Sequence, residues 1–147
     1  MSEIVVQKFG GTSVGTVDRI DSVAEIIKNA SKLNKIVVVV SAMGGETNRL
    51  VDLAKAFGDD PDKREFDALV STGETVSSAL LTMALHSKGI KAKSFSASQI
   101  SMRTTSSYSK AKILDVDAKK ILDVIDSDTI PIITGFQGVT EGGDVTT

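Results

Sequence analysis

The run Ile36-Val37-Val38-Val39-Val40 restricts what this chain can fold into more than any other stretch. Five β-branched residues in succession suit an extended backbone and leave no polar face for water. Such a segment predicts a strand buried on both faces, as in a parallel sheet with helices above and below. Strand-like and helix-like segments alternate around it, which is the mark of βαβ construction. A shorter apolar run, Ile4-Val5-Val6, comes first. Val17, Ile20, Val23, Ile27 and Ala30 then recur at three- and four-residue spacing and predict an amphipathic helix. Beyond the central run a second helix starts near Thr47 and carries Leu50, Val51, Leu53 and Ala54. Gly58-Asp59-Asp60-Pro61 predicts a turn. A longer helix follows, with Phe66, Leu69, Val70, Val76, Leu80, Leu81, Ala84 and Leu85 along one side. Lys88-Gly89 ends it with a left-handed cap. Residues 90–95 and 111–116 predict strands, and the Ser- and Thr-rich stretch between them carries no clear pattern. A helix holding Ile121, Leu122, Val124 and Ile125 precedes a last strand, Ile130-Pro131-Ile132-Ile133. The ending, GVTEGGDVTT, has no helical pattern to cover that strand, so the chain reads as the first part of a longer protein.

Composition narrows the function classes. With 147 residues the chain has the size of one domain, and its 41% hydrophobic and 24% charged residues are ordinary for a soluble globular protein. A net charge of −2, with Lys and Arg dispersed, gives no footprint for nucleic acid, and 4% aromatics offer no stacking platform. No cysteine is present, which rules out disulfides and thiolate metal sites and suits a reducing compartment. The start lacks the pattern of a signal peptide. No apolar run approaches the ~20 residues of a membrane span. A cytoplasmic α/β domain is the expectation.

In parallel α/β sheets ligands gather at the carboxyl ends of strands. Three glycine-containing segments fall there: KFGGTS (8–13), SAMGGETN (41–48) and TGFQG (134–138). Glycine lets backbone N–H groups approach anionic oxygens, a helix N-terminus adds a favourable dipole, and Lys8 adds a point charge. Ordinary turn chemistry is the competing reading of each loop. Gly10 and Gly15 have P-loop spacing, but Thr16-Val17 stands where Lys-Ser/Thr is needed, and no G-x-G-x-x-G occurs. Glu74, within LVSTGETVSSALL, is either a solvated residue or an inward carboxylate able to hold a substrate ammonium or pair with Lys8. Thr47 is either an N-cap or a ligand for a substrate carboxylate. His86, the single histidine, reads as structural or surface, and the acids of GDDPD (58–62) as a solvated turn.

VQKFGGTSVG, VVVVSAMGGETNRLVDLA, DALVSTGETVSSALL and ITGFQGVTEGGDVTT, in this order and over nearly the whole chain, closely resemble the aspartate kinases of the amino acid kinase family. The resemblance implies the amino acid kinase fold, a mainly parallel sheet between helical layers. Residues 1–147 would be the amino-terminal, aspartate-binding lobe, without the nucleotide-binding half and the ACT regulatory domains. It implies ATP-dependent phosphorylation of the side-chain carboxylate of L-aspartate to 4-phospho-L-aspartate, which opens the lysine, threonine and methionine pathway. The cofactors implied are ATP with Mg²⁺. By the same resemblance Lys8, catalytic, would bind ATP with Phe9, Gly10 and Gly11. Ser41, Thr47, Glu74, Gly135 and Phe136 would bind aspartate, Glu74 toward its ammonium. The family's L-G-R-G-G-S-D stretch does not follow Thr147, so this chain alone is expected to be inactive. Association with a second copy or with the missing part is expected, with neither nucleic acid nor membrane as partner. The alternatives are another amino acid kinase, such as one acting on acetylglutamate, and a non-catalytic ligand-binding or self-associating module.

Overall fold

The computed structural model describes residues 3–147. Its first half runs β1 (Ile4–Phe9), α1 (Val17–Ala30), β2 (Lys35–Val40), α2 (Glu46–Lys55), α3 (Lys63–Val70) and α4 (Thr72–Ser87). The second half runs β3 (Ala92–Phe95), β4 (Arg103–Thr104), β5 (Ile113–Asp115), α5 (Ala118–Asp126), β6 (Ile130–Thr134), β7 (Gly138–Val139) and β8 (Val145–Thr146). Strands β1, β2, β6 and β3 form a parallel sheet in that order, with the β-branched run at its centre. One face of β2 and β6, through Ile36, Val38, Val40, Ile130 and Ile132, packs on α1 and α4. The other face, through Val37 and Ile133, packs on Ile100 and on Ile125 of α5. Each Val or Ile fully buried in this way contributes about 1.5–3 kcal/mol. The both-faces burial read from the sequence follows from this sandwich.

The helix boundaries have local causes. Thr16 caps α1, its hydroxyl accepting the Arg19 N–H at 3.2 Å, and Ile20, Val23, Ala24 and Ile27 form the buried stripe. Gly89, at φ 76°, closes α4 while the Ile90 N–H donates to the Leu85 carbonyl at 3.0 Å. His86 donates from Nε2 to the Ala92 carbonyl at 2.8 Å, tying α4 to β3 in the packing role expected of it.

Three expectations need correction. The long helix is two helices meeting at Ser71, and the buried face is Asp67, Val70, Glu74, Ser77, Ser78, Leu81 and Leu85. Val76, expected on that face, is 46% exposed, because small and polar side chains are what let α4 approach the sheet edge closely. The strand near 111–116 is not in the main sheet. It is the exposed β5 of a second, small sheet ordered β5-β4-β7-β8, to which the closing GVTEGGDVTT contributes the β7–β8 hairpin. The α3–α4 run Lys63–Ser87 reaches the length and mean hydropathy (1.2) of a membrane span, with half of the apolar window inside the fold, as a packed core helix also does.

Short strands of two or three residues need other anchors, and Asp67 supplies one. Its fully buried carboxylate accepts the Ser109 N–H at 2.8 Å and hydroxyl at 2.9 Å, and the Thr147 N–H at 2.9 Å and hydroxyl at 2.8 Å. Asp67→Ala leaves two backbone donors without an acceptor, at about 1–3 kcal/mol each, whereas Asp67→Asn keeps one acceptor oxygen. Urea unfolding should therefore rank stability wild type, Asn, Ala; coincident midpoints for all three proteins would refute the clamp.

Candidate active site

Phe9 stands opposite Val40 in the parallel ladder, and Val40 opposite Thr134. The chain therefore leaves three neighbouring strands at one level, and the three glycine loops emerge side by side. Ser41 donates its N–H to the Phe9 carbonyl at 3.0 Å, and Gly135 donates to the Val40 carbonyl at 2.9 Å. A Cβ on Gly11 would stand 3.1 Å from the Ala42 carbonyl oxygen, and one on Gly44 3.3 Å from that of Gly11. The first two loops thus pack backbone against backbone, more tightly than a Cβ at either glycine would ordinarily allow.

The first turn of α4 comes up against this edge. A Cβ on Gly73 would lie 2.8 Å from that of Ala42, so glycine is what allows the approach. Glu74 follows and is only 3% exposed. Its Oε1 accepts the Ala42 N–H at 3.1 Å, and Oε2 is buried without a partner. One turn on, the Ser77 hydroxyl donates to the Ser41 carbonyl at 2.6 Å. Loss of solvent pushes the Glu74 carboxyl above the usual carboxylate range, and the Ala42 N–H opposes that rise more weakly. Of the two readings open for Glu74, the structure selects the inward carboxylate.

A cleft of about 310 Å³ lies over Glu74, and Gly11, Ser41, Thr47 and Phe136 line it as well. Five of the nine residues singled out in the sequence thus meet in one cavity. The other four stand apart from its walls. Lys8 is exposed at the penultimate position of β1, Phe9 turns its ring into the core, Gly10 opens the first turn, and Gly135 rests on Val40. Thr47 is the second residue of α2 and not its cap, a place taken by Gly45 at φ 81° with no side-chain hydrogen bond. The cleft also exposes Met43 and Asn48, to which no role was given. Asn48 follows Thr47 in the same first turn, so polar residues opening a helix after a glycine loop were the available signal.

The close-packed glycine loops, with Lys8 beside them on β1, suit the phosphates of a nucleotide. Among the described residues no three His, Cys, Asp or Glu side chains gather for a metal.

Glycine loops and a buried carboxylate meet at the carboxyl edge of a parallel sheet, the edge where α/β domains commonly hold small ligands. Comparison with known proteins makes the class specific. The model of the amino acid kinase family matches residues 3–147, and the chain belongs to that family. It is 52% identical over 145 residues to an aspartate kinase of Stutzerimonas stutzeri, covering 98% of this chain and 35% of that protein. An aspartokinase of Geobacillus stearothermophilus is 51% identical over 145 residues, with 98% and 36% covered. Among solved structures, Escherichia coli aspartokinase III in complex with aspartate and ADP superposes with a TM-score of 0.87 at 25% identity, over 99% of this chain and 43% of that one. The chain spans about a third of the length of the curated relatives it matches. The resemblance read from the four motifs is borne out, and so is the fold class.

Burial of Glu74 has a consequence for stability. Its folded pKa lies above the ordinary carboxylate value, so the folded state binds that proton more tightly than the unfolded state. The sign is the reverse of a salt-bridged acid: stability is greatest below the unfolded value and falls as pH rises through the folded one. Glu74→Gln keeps an acceptor for Ala42 and removes the charge, so it should raise Tm at pH 7, by about 2–4 °C per kcal/mol recovered, and change it little near pH 3.5. Thermal melts of both proteins at the two pH values check this, and a Tm at pH 7 lowered by the substitution would contradict it.

Proposed function

We propose that this chain is the aspartate-binding lobe of an ATP-dependent aspartate kinase, which makes 4-phospho-L-aspartate for amino-acid biosynthesis. The observation that carries the reading is Glu74, which lines a ligand-sized cleft and whose Oε2 is buried without a partner. A desolvated carboxylate oxygen calls for a cationic donor, and the ammonium of an α-amino acid is one. An acetylated amine carries no such charge, which favours aspartate over acetylglutamate as the acceptor.

In this reading the substrate ammonium donates to Glu74 Oε2. The Thr47 hydroxyl and the amino-terminal end of α2 receive a carboxylate, favoured by the helix dipole. Phe136 lines the same cleft, and Ser41 borders the reacting groups. The side-chain carboxylate is already ionised at neutral pH, so no general base is required. Its oxygen forms the new bond to the γ-phosphorus as the bond from that phosphorus to the bridging oxygen breaks, and ADP leaves. Lys8 and the backbone of Phe9, Gly10, Gly11 and Gly135 bear on the phosphates and the transferring group, where loss of one donor typically costs ~10²–10³ in rate. Bound Mg²⁺ would neutralise phosphate charge. A cytoplasmic setting belongs to the same proposal.

The chain on its own is proposed to be inactive, because the residues described form the acceptor cleft and one side of a phosphate cradle. Calorimetric titration with L-aspartate tests the acceptor site. Glu74→Gln should weaken binding by about 10–100-fold, the worth of a hydrogen bond to a charged group, and N-acetyl-L-aspartate should bind the unaltered chain poorly. Equal affinities for the two ligands would sink the reading. ADP release by the purified chain, abolished by Lys8→Ala, would overturn the proposed inactivity. Self-association is proposed through edge strand β1, whose Ile4 and Val6 are exposed. A single-chain mass by light scattering at all concentrations would refute it.

A further inference from the structure

Gln137 follows Phe136 in the third glycine loop and is buried. Its Nε2 donates to the Ser71 carbonyl at 2.7 Å and to the Thr75 hydroxyl at 3.1 Å. Its Oε1 accepts from the Thr134 hydroxyl at 2.8 Å and from the Ala97 N–H at 3.4 Å. The orientation of the amide is settled by chemistry, since a carbonyl can only accept and a backbone N–H can only donate.

Ser71 and Thr75 are one helical turn apart and bracket Glu74. The amino terminus of α4 has no side-chain cap; the two-donor fork instead fastens its first turn to the third loop through the Ser71 carbonyl and the Thr75 hydroxyl. On the loop side Phe136 sits at φ 62°, a left-handed backbone that costs a bulky residue about 1–3 kcal/mol. Its neighbours hold it there: Gly135 by the bond to Val40, and Gln137 by its four hydrogen bonds. One side chain therefore ties together two parts of the cleft, Glu74 and Phe136.

We infer that Gln137 is a positioning residue that sets the first turn of α4, fixes Glu74 against the cleft and holds Phe136 in its lining. The inference rests on the reading of the cleft as an α-amino acid site. Gln137 itself lines no part of that cleft, so its effect on a ligand must pass through Glu74 and Phe136.

The test uses the whole chain and two readouts. The first needs no ligand. The amide resonance of Ala42, whose N–H rests on Glu74 Oε1 at 3.1 Å, reports the placement and titration of that carboxyl. Gln137→Met keeps the length of the side chain and removes the fork. The Ala42 shift and its pH profile should move, while resonances along α1 stay in place. An unmoved Ala42 profile overturns the inference. The second readout compares dissociation constants for L-aspartate and succinate, which differ by the ammonium. Their ratio should fall roughly ten-fold in Gln137→Met, about the worth of one charge-assisted hydrogen bond. Equal weakening of both ligands would reduce Gln137 to a structural role and overturn the inference. Should Gln137→Met fail to fold, Thr75→Val removes one acceptor of the fork from the helix side. It should move both readouts in the same direction by less, and movement in neither would be equally fatal. A native chain that does not prefer aspartate to succinate would instead refute the reading of the cleft, and the Ala42 profile would still decide the role of Gln137.

Discussion

Parallel pairing points every strand's carboxyl end the same way, and the register among β1, β2 and β6 brings those ends to one level. Phe9, Val40 and Thr134 stand in a row, so three loops that are far apart in sequence begin within a few ångströms of each other. Everything at the cleft depends on that row. Hydrogen bonds at the strand ends hold that level, the Ser41 N–H donating to the Phe9 carbonyl and the Gly135 N–H to the Val40 carbonyl.

The second condition is close approach. Gly11 and Gly44 let two loops touch through their backbones, and Gly73 lets α4 meet Ala42. Only at that separation does Ala42 reach Glu74 Oε1. The arrangement takes a carboxylate out of water and satisfies one of its oxygens, leaving the other without a partner. Desolvation disfavours the charged form in the free chain and would strengthen its attraction for a cation, so under the proposed function the burial that costs stability would supply affinity. This trade is common at functional sites, where local rules are broken and compensated elsewhere.

The compensation lies in side-chain networks. Strands of two or three residues contribute few ladder bonds, and the second sheet consists entirely of them. Asp67 binds α3 to Ser109 and Thr147, while Gln137 binds the third loop to the α3–α4 junction. The helical stretch that carries Glu74 is thus fastened to the small sheet through Asp67 and to the third loop through Ser71 and Thr75.

The amino-acid pattern by itself determined the elements that rest on periodicity and bulk: the central strand, the stripe of α1, the left-handed cap at Gly89, and the three glycine loops at strand ends. Each is a local consequence of side-chain shape and of where apolar residues recur. The family was legible for a related reason, since four separated motifs agree in order. The second sheet was not legible, because pairs such as Arg103-Thr104 are too short to show a period of two. Nor was the inward face of α3 and α4. A carboxylate on a helix reads as solvated until its partners are known, and those partners are distant: Ala42 is 32 residues from Glu74, and Ser109 and Thr147 lie 42 and 80 from Asp67. Only the tertiary structure could decide these, because whether a charge is tolerable inside a protein depends on donors brought to it from elsewhere in the chain.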